Sequence, residues 1–68
     1  MTLSARNNIK GKIVEIKKGQ VMAEVTLEIA SGVNVVSAIT TNSVERLGLK
    51  EGKEVGVVIK ATSVMIDA

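Results

Sequence analysis

No cysteine, histidine, tryptophan, tyrosine or phenylalanine occurs among the 68 residues. The missing thiols and imidazoles exclude thiolate nucleophiles, imidazole acid–base catalysis and Cys/His zinc sites, and the missing rings exclude aromatic stacking on nucleobases. Most simple enzyme mechanisms go with them, and the chain is expected not to be an enzyme, with no cofactor and no directly held metal cation. Long apolar runs are also lacking. No segment approaches the ~20 residues that span a bilayer, and residues 1–7 show no apolar stretch after a basic start. A cytoplasmic protein without membrane contact is expected.

What is present describes a single small domain over residues 1–68. Hydrophobic residues make up 46% and charged residues 24%, enough to bury a core and too apolar for a disordered chain. A domain of this size buries only about 60% of its unfolded surface and usually needs disulfides, metal or oligomerisation. With the first two excluded, self-association is the expected stabiliser. The net charge of +2 and a sequence pI near 9.2 suit a small anion better than duplex DNA.

Residues 9–17 read as a β-branched strand carrying Ile13, Val14 and Ile16, followed by a turn at Lys18 and Gly19. Residues 21–29 alternate strictly, with Val21, Ala23, Val25, Leu27 and Ile29 on one face and Met22, Glu24, Thr26 and Glu28 on the other. Residues 33–40 return as a third strand after the turn at Gly32. The spacing of Asn42 and Glu45 then suggests a capping box, and Gly48 the end of a helix of one or two turns. Residues 54–60 predict a fourth strand and 64–66 a short fifth. This order is that of a five-stranded OB-like Greek-key barrel with one helix between strands three and four.

Polar groups gather near strand ends: Ser4, Arg6 and Asn7; Thr40, Thr41 and Ser43; Lys60, Thr62 and Ser63. A tetrahedral oxyanion presents only acceptors, so its site needs hydroxyls, backbone N–H groups and a cation or two. The same residues also fit plainer roles. Thr40, Asn42 and Ser43 are what any helix start presents, Lys60 can guard a strand edge, and Arg6 can form a surface salt bridge. Lys10, Lys12, Lys17 and Lys18 read as an exposed charged strand, and Met22 and Met65 as core or interface filler.

Together, the runs Ser4-Ala5-Arg6-Asn7, Gly11-Lys12-Ile13, Ala38-Ile39-Thr40-Thr41-Asn42-Ser43-Val44-Glu45-Arg46-Leu47-Gly48-Leu49, Glu51-Gly52-Lys53-Glu54-Val55 and Ile59-Lys60-Ala61 resemble the molbindin (Mop) family. The same module resembles the ligand-binding domain of molybdate-responsive regulators and the C-terminal domain of molybdate transporter ATPases. The resemblance spans essentially the whole chain. It implies a TOBE-like module that assembles as a hexamer, a trimer of dimers, and binds molybdate or tungstate between subunits for intracellular storage or buffering. It further implies oxyanion contacts from Ser4, Ala5, Arg6, Thr40, Ser43, Lys60 and Ala61, the two alanines through their backbone N–H groups. Where regulators of this type continue with Ala-Pro-Trp, this chain has Ala61-Thr62-Ser63, and Ser63 is an additional candidate donor. A second oxyanion site class in the family directs attention to the turn at Gly19 and Gln20, which also reads as an ordinary hairpin turn. The alternatives are an OB-type nucleic-acid-binding module and a purely structural oligomerisation module.

Overall fold

The computed structural model describes residues 6–68. Its strands are β1 (Asn7–Lys18), β2 (Met22–Ala30), β3 (Val33–Thr40) and β4 (Glu54–Ile59), with a short helix α1 (Thr41–Arg46) between β3 and β4 and a 3-10 turn at Ala61–Ser63. The strands form one antiparallel sheet in the order β3-β2-β1-β4. The protein is thus mostly β, with the helix where the sequence placed it. Among the described residues no helix is long and apolar enough to cross a membrane.

The alternation in β2 does its expected work. Ala23, Val25 and Leu27 are buried, and Ile13 of β1, Val44 of α1 and Val57 of β4 join them in the core. Val21 departs from the pattern because it precedes the strand and is exposed. On β1 the inward residues are Gly11, Ile13 and Ile16, a spacing that strict alternation cannot provide. A β-bulge provides it. Ile13 pairs with Leu27 and Glu15 with Thr26, so Val14 is the extra residue and turns outward. Gly11 is required by close approach, since a Cβ there would lie 3.0 Å from Val57 Cγ2 and 3.3 Å from Ile29 Cγ2.

Two expectations are corrected. The helix is capped by Thr40, not by a box at Asn42: the Thr40 side chain accepts from the Ser43 N–H while its own backbone is still extended. The last residue of β3 therefore doubles as the N-cap, and the helix starts earlier than the Asn42–Glu45 spacing suggests. The helix end is as expected. Gly48, at φ +64°, donates to Glu45 O, and Leu49 N–H donates to Val44 O, the two bonds of a Schellman motif.

The second concerns the fifth strand and the OB-like barrel, which the described residues of one chain do not form. Residues 64–66 pair with nothing among the described residues, and the sheet stays open with β3 and β4 as its two edges. The cause is local. Ser63 N–H bonds back to Lys60 O at 2.8 Å and closes the 3-10 turn, which leads the tail off the sheet. Met65 is consequently 93% exposed and Ile66 90%, and Met22 is also exposed, so neither methionine fills this core.

Candidate functional site

The geometry of the donors follows from strand register. At the far end of β3, Thr40 stands opposite Met22. There the Thr40 hydroxyl donates to Ser43 Oγ at 2.7 Å and accepts from Ser43 N–H at 3.0 Å. The helix start is held against the β1–β2 turn by two bonds from one residue, Thr41 N–H to Val21 O and Thr41 Oγ1 to Gly19 O, both 2.8 Å. The hydroxyl–hydroxyl bond uses one of the two O–H protons, so the pair keeps one to donate outward.

The cations stand elsewhere. Asn7 pairs with Ile59, so the next residues outward, Arg6 and Lys60, sit at adjoining ends of β1 and β4. Both are exposed. Asn7 Nδ2 donates to Ile59 O at 3.2 Å and ties these two ends together. Ala61 begins the 3-10 turn immediately after Lys60, and the Ser63 N–H is already engaged by Lys60 O. Ser4 and Ala5 lie outside the described residues.

The candidate residues therefore fall into two groups. Thr40 and Ser43 lie at the end of the sheet where β1 turns into β2, and Arg6, Lys60 and Ala61 at the end where β1 begins and β4 stops. The 12-residue β1 runs between them, roughly 35 Å of contour at about 3.3 Å per residue. One chain does not bring hydroxyls and cations onto a common ligand.

The turn at Gly19 and Gln20 keeps its plainer reading. The Gly19 N–H donates to Met22 O at 2.8 Å, its carbonyl accepts from Thr41, and a Cβ there would meet Met22 O at 2.8 Å. The lysines of β1 likewise form no continuous positive stripe. Lys12 stands opposite both Glu28 and Glu54, Lys17 opposite Glu24, and Lys18 Nζ lies 4.0 Å from Glu45 Oε2. Sign alternates along this surface, which disfavours the nucleic-acid alternative. Among the described residues no cluster of acidic groups could hold a metal ion.

The cap predicts a separable pair of effects on stability. Thr40→Ala removes the only side-chain acceptor for the Ser43 N–H shown at this cap and is expected to cost about 1 kcal/mol, a fall in Tm of roughly 4–8 °C. Ser43→Ala keeps that N–H bond and is expected to stay within about 0.5 kcal/mol of the parent. Calorimetric melting of the two variants checks this; equal melting temperatures would remove Thr40 from the cap.

An open antiparallel sheet with hydrogen-bond donors at both ends, in a sequence with neither thiol nor imidazole, is the layout of a small binding module. A family model described as "TOBE domain" matches residues 3–66. "Molybdenum-pterin-binding protein 3" of Clostridium pasteurianum is 59% identical over 66 residues, 97% of each chain. Among solved structures, MopII from Clostridium pasteurianum matches with a TM-score of 0.90 at 57% identity, covering 98% of this chain and 100% of that one. A molybdate binding protein from Sporomusa ovata matches with a TM-score of 0.93 at 37% identity over all of both chains. The chain belongs to the molbindin (Mop) family of TOBE-domain proteins.

Proposed function

We propose that this protein binds molybdate, or tungstate, reversibly and without catalysis, and that it serves as a cytoplasmic store or buffer of the oxyanion. The observation that carries this reading is the full-length likeness to a protein described as molybdate binding, in a chain whose candidate contacts are all hydrogen-bond donors. Related proteins are named for molybdenum-pterin. This chain has no aromatic residue on which a pterin ring could stack, whereas hydroxyls, amides and two cations suit an inorganic dianion.

Each site is proposed to be shared between copies: Thr40 and Ser43 from one, and Ser4, Ala5, Arg6, Lys60 and Ala61 from another. The separation of the two groups along β1 supports this division. Self-association is supported by the thin core, with six buried apolar residues against eleven large ones left exposed among the described residues; a homo-hexamer arranged as a trimer of dimers is the assembly we propose. In it Ser43→Ala loses oxyanion affinity without losing melting temperature.

The test is thermal unfolding with molybdate, tungstate, sulfate or phosphate, with assembly mass recorded on the same samples. A ligand at ~100 times its Kd stabilises the folded state by about 2.7 kcal/mol. Molybdate and tungstate are expected to raise Tm on the hexamer, with sulfate and phosphate leaving it unchanged. No selective shift would reject the oxyanion reading.

A further inference from the structure

Of the side-chain hydrogen bonds among the described residues, two join distant parts of the chain, and one stands beside each group of candidate contacts. Asn7 Nδ2 reaches Ile59 O, 52 residues away, next to Arg6 and Lys60. Thr41 Oγ1 reaches Gly19 O, 22 residues away, next to Thr40 and Ser43. The other side-chain bonds span three to six residues. The two ties do not weigh equally. An arginine or lysine carries its charge at the end of a long stem, so it reaches a ligand from a range of backbone positions. A Thr or Ser hydroxyl is borne on Cβ and follows the backbone closely.

The Thr41 tie belongs to a closed circuit. Met22 stands opposite Thr40 in the β2–β3 ladder, and Met22 O accepts from Gly19 N–H at 2.8 Å. Gly19 O in turn accepts from Thr41 Oγ1 at 2.8 Å, and Thr41 follows Thr40 in the chain. The circuit requires a glycine at 19, because a Cβ would meet Met22 O at 2.8 Å. Its one link that depends on a side chain is the Thr41 hydroxyl. That hydroxyl has a single proton, given to Gly19 O, and so has none for a ligand whose oxygens only accept. The pair of Lys18 Nζ and Glu45 Oε2, 4.0 Å apart, also joins the turn to the helix, but an exposed ion pair contributes little.

We propose that Thr41 is a positioning residue for the oxyanion: it touches no ligand and sets affinity by holding the helix start where the Thr40 and Ser43 hydroxyls meet their site. The proposal rests on the molybdate reading above and adds to it a residue outside the proposed contacts. Without the tie the helix start samples other arrangements, and the Kd rises in inverse proportion to the fraction that stays competent to bind.

Thr41→Val keeps the β-branched shape and deletes the hydroxyl. Its Kd for molybdate, from titration calorimetry well below the melting transition, is expected to rise about three- to tenfold, within the range that one neutral hydrogen bond supplies. Thr41→Ser, which keeps the hydroxyl, is expected to return to within about twofold of the parent. Asn42→Ala, at the exposed neighbouring position, is the control and is expected to bind like the parent. A role in stability alone would lower the melting temperature of Thr41→Val and leave its Kd unchanged, and that result overturns the proposal. So does a Thr41→Ser variant that binds as weakly as Thr41→Val. Combining Thr41→Val with Ser43→Ala tests whether Thr41 acts through the hydroxyls: it is expected to cost less affinity in that background than in the parent, and equal fold-changes overturn the positioning role. The parent separates the two ideas. A parent that binds molybdate, weakened by Ser43→Ala but not by Thr41→Val, sinks only the role of Thr41, whereas a parent that binds none sinks the molybdate reading itself.

Discussion

Lys60→Ala is expected to raise the Kd for molybdate by about ten- to a hundred-fold while leaving the ligand-free melting temperature within about 2 °C of the parent. The first figure follows from a hydrogen bond to a charged group, worth about 1.5–3 kcal/mol, with tenfold in Kd for each 1.4 kcal/mol. The second follows from position. Lys60 is exposed, and although it precedes the 3-10 turn its side chain caps nothing there, so the fold loses no interaction with it. Arg6→Ala belongs to the same end and should act in the same direction. Lys10→Ala is the control, since Lys10 lies on the outer sheet surface opposite Gly56 and away from both donor groups. Titration calorimetry on the four proteins measures the effect.

A stronger form of the test uses the proposed division of the site between copies. Lys60→Ala chains retain the hydroxyl pair and Ser43→Ala chains retain the cations. When the two variants are unfolded, mixed in equal amounts and refolded together, about a quarter of the shared sites draw an intact half from each. Those sites should bind with parental affinity, although neither variant does so alone. If Lys60→Ala bound molybdate like the parent, the cation assignment would be wrong; if the mixture recovered no tight sites, the division between copies would be.

The separation of the two groups along one chain is what residue order conceals. The donor inventory is legible in the sequence because it concerns residue types: hydroxyls at 40 and 43, cations at 6 and 60. Where those residues stand relative to one another depends on two register relations, Asn7 with Ile59 and Met22 with Thr40, which place them at opposite ends of one sheet. The elements divide in the same way. The alternation of β2 and the glycine ending α1 are local signals with local outcomes. In the Thr40-Thr41-Asn42-Ser43 run every residue is an acceptable N-cap, and only the backbone turning at the end of β3 selects the first. Residues 64–66 have the composition of a strand, but a strand exists through its partner, and β propensity contains no information about whether one is at hand.

Ile13→Ala is expected to lower the melting temperature by at least about 10 °C, whereas Val14→Ala should change it by a few degrees at most. The two residues are adjacent, β-branched and indistinguishable by hydropathy. The bulge separates them: Ile13 is 1% exposed and Val14 41%. Ile13 faces Leu27 across the β1–β2 pair, and its backbone accepts from Gly52 N–H at 2.7 Å and donates to Lys53 O at 3.0 Å, so it anchors the loop before β4 to the sheet. Truncating a fully buried isoleucine costs about 2–5 kcal/mol, and each kcal/mol lowers Tm by about 4–8 °C in a domain of this size. A single core this small supplies roughly 3–5 kcal/mol in all, so Ile13→Ala should also make folding depend on assembly. Its melting temperature is expected to rise with protein concentration more steeply than the parent's, because association then provides a larger share of the stability. Saturating molybdate should recover part of the loss by the same linkage, since Ile13 is remote from both donor groups and leaves the ligand contacts in place. Equal melting temperatures for the two alanine variants would mean that the bulge does not divide Ile13 from Val14 in the folded protein.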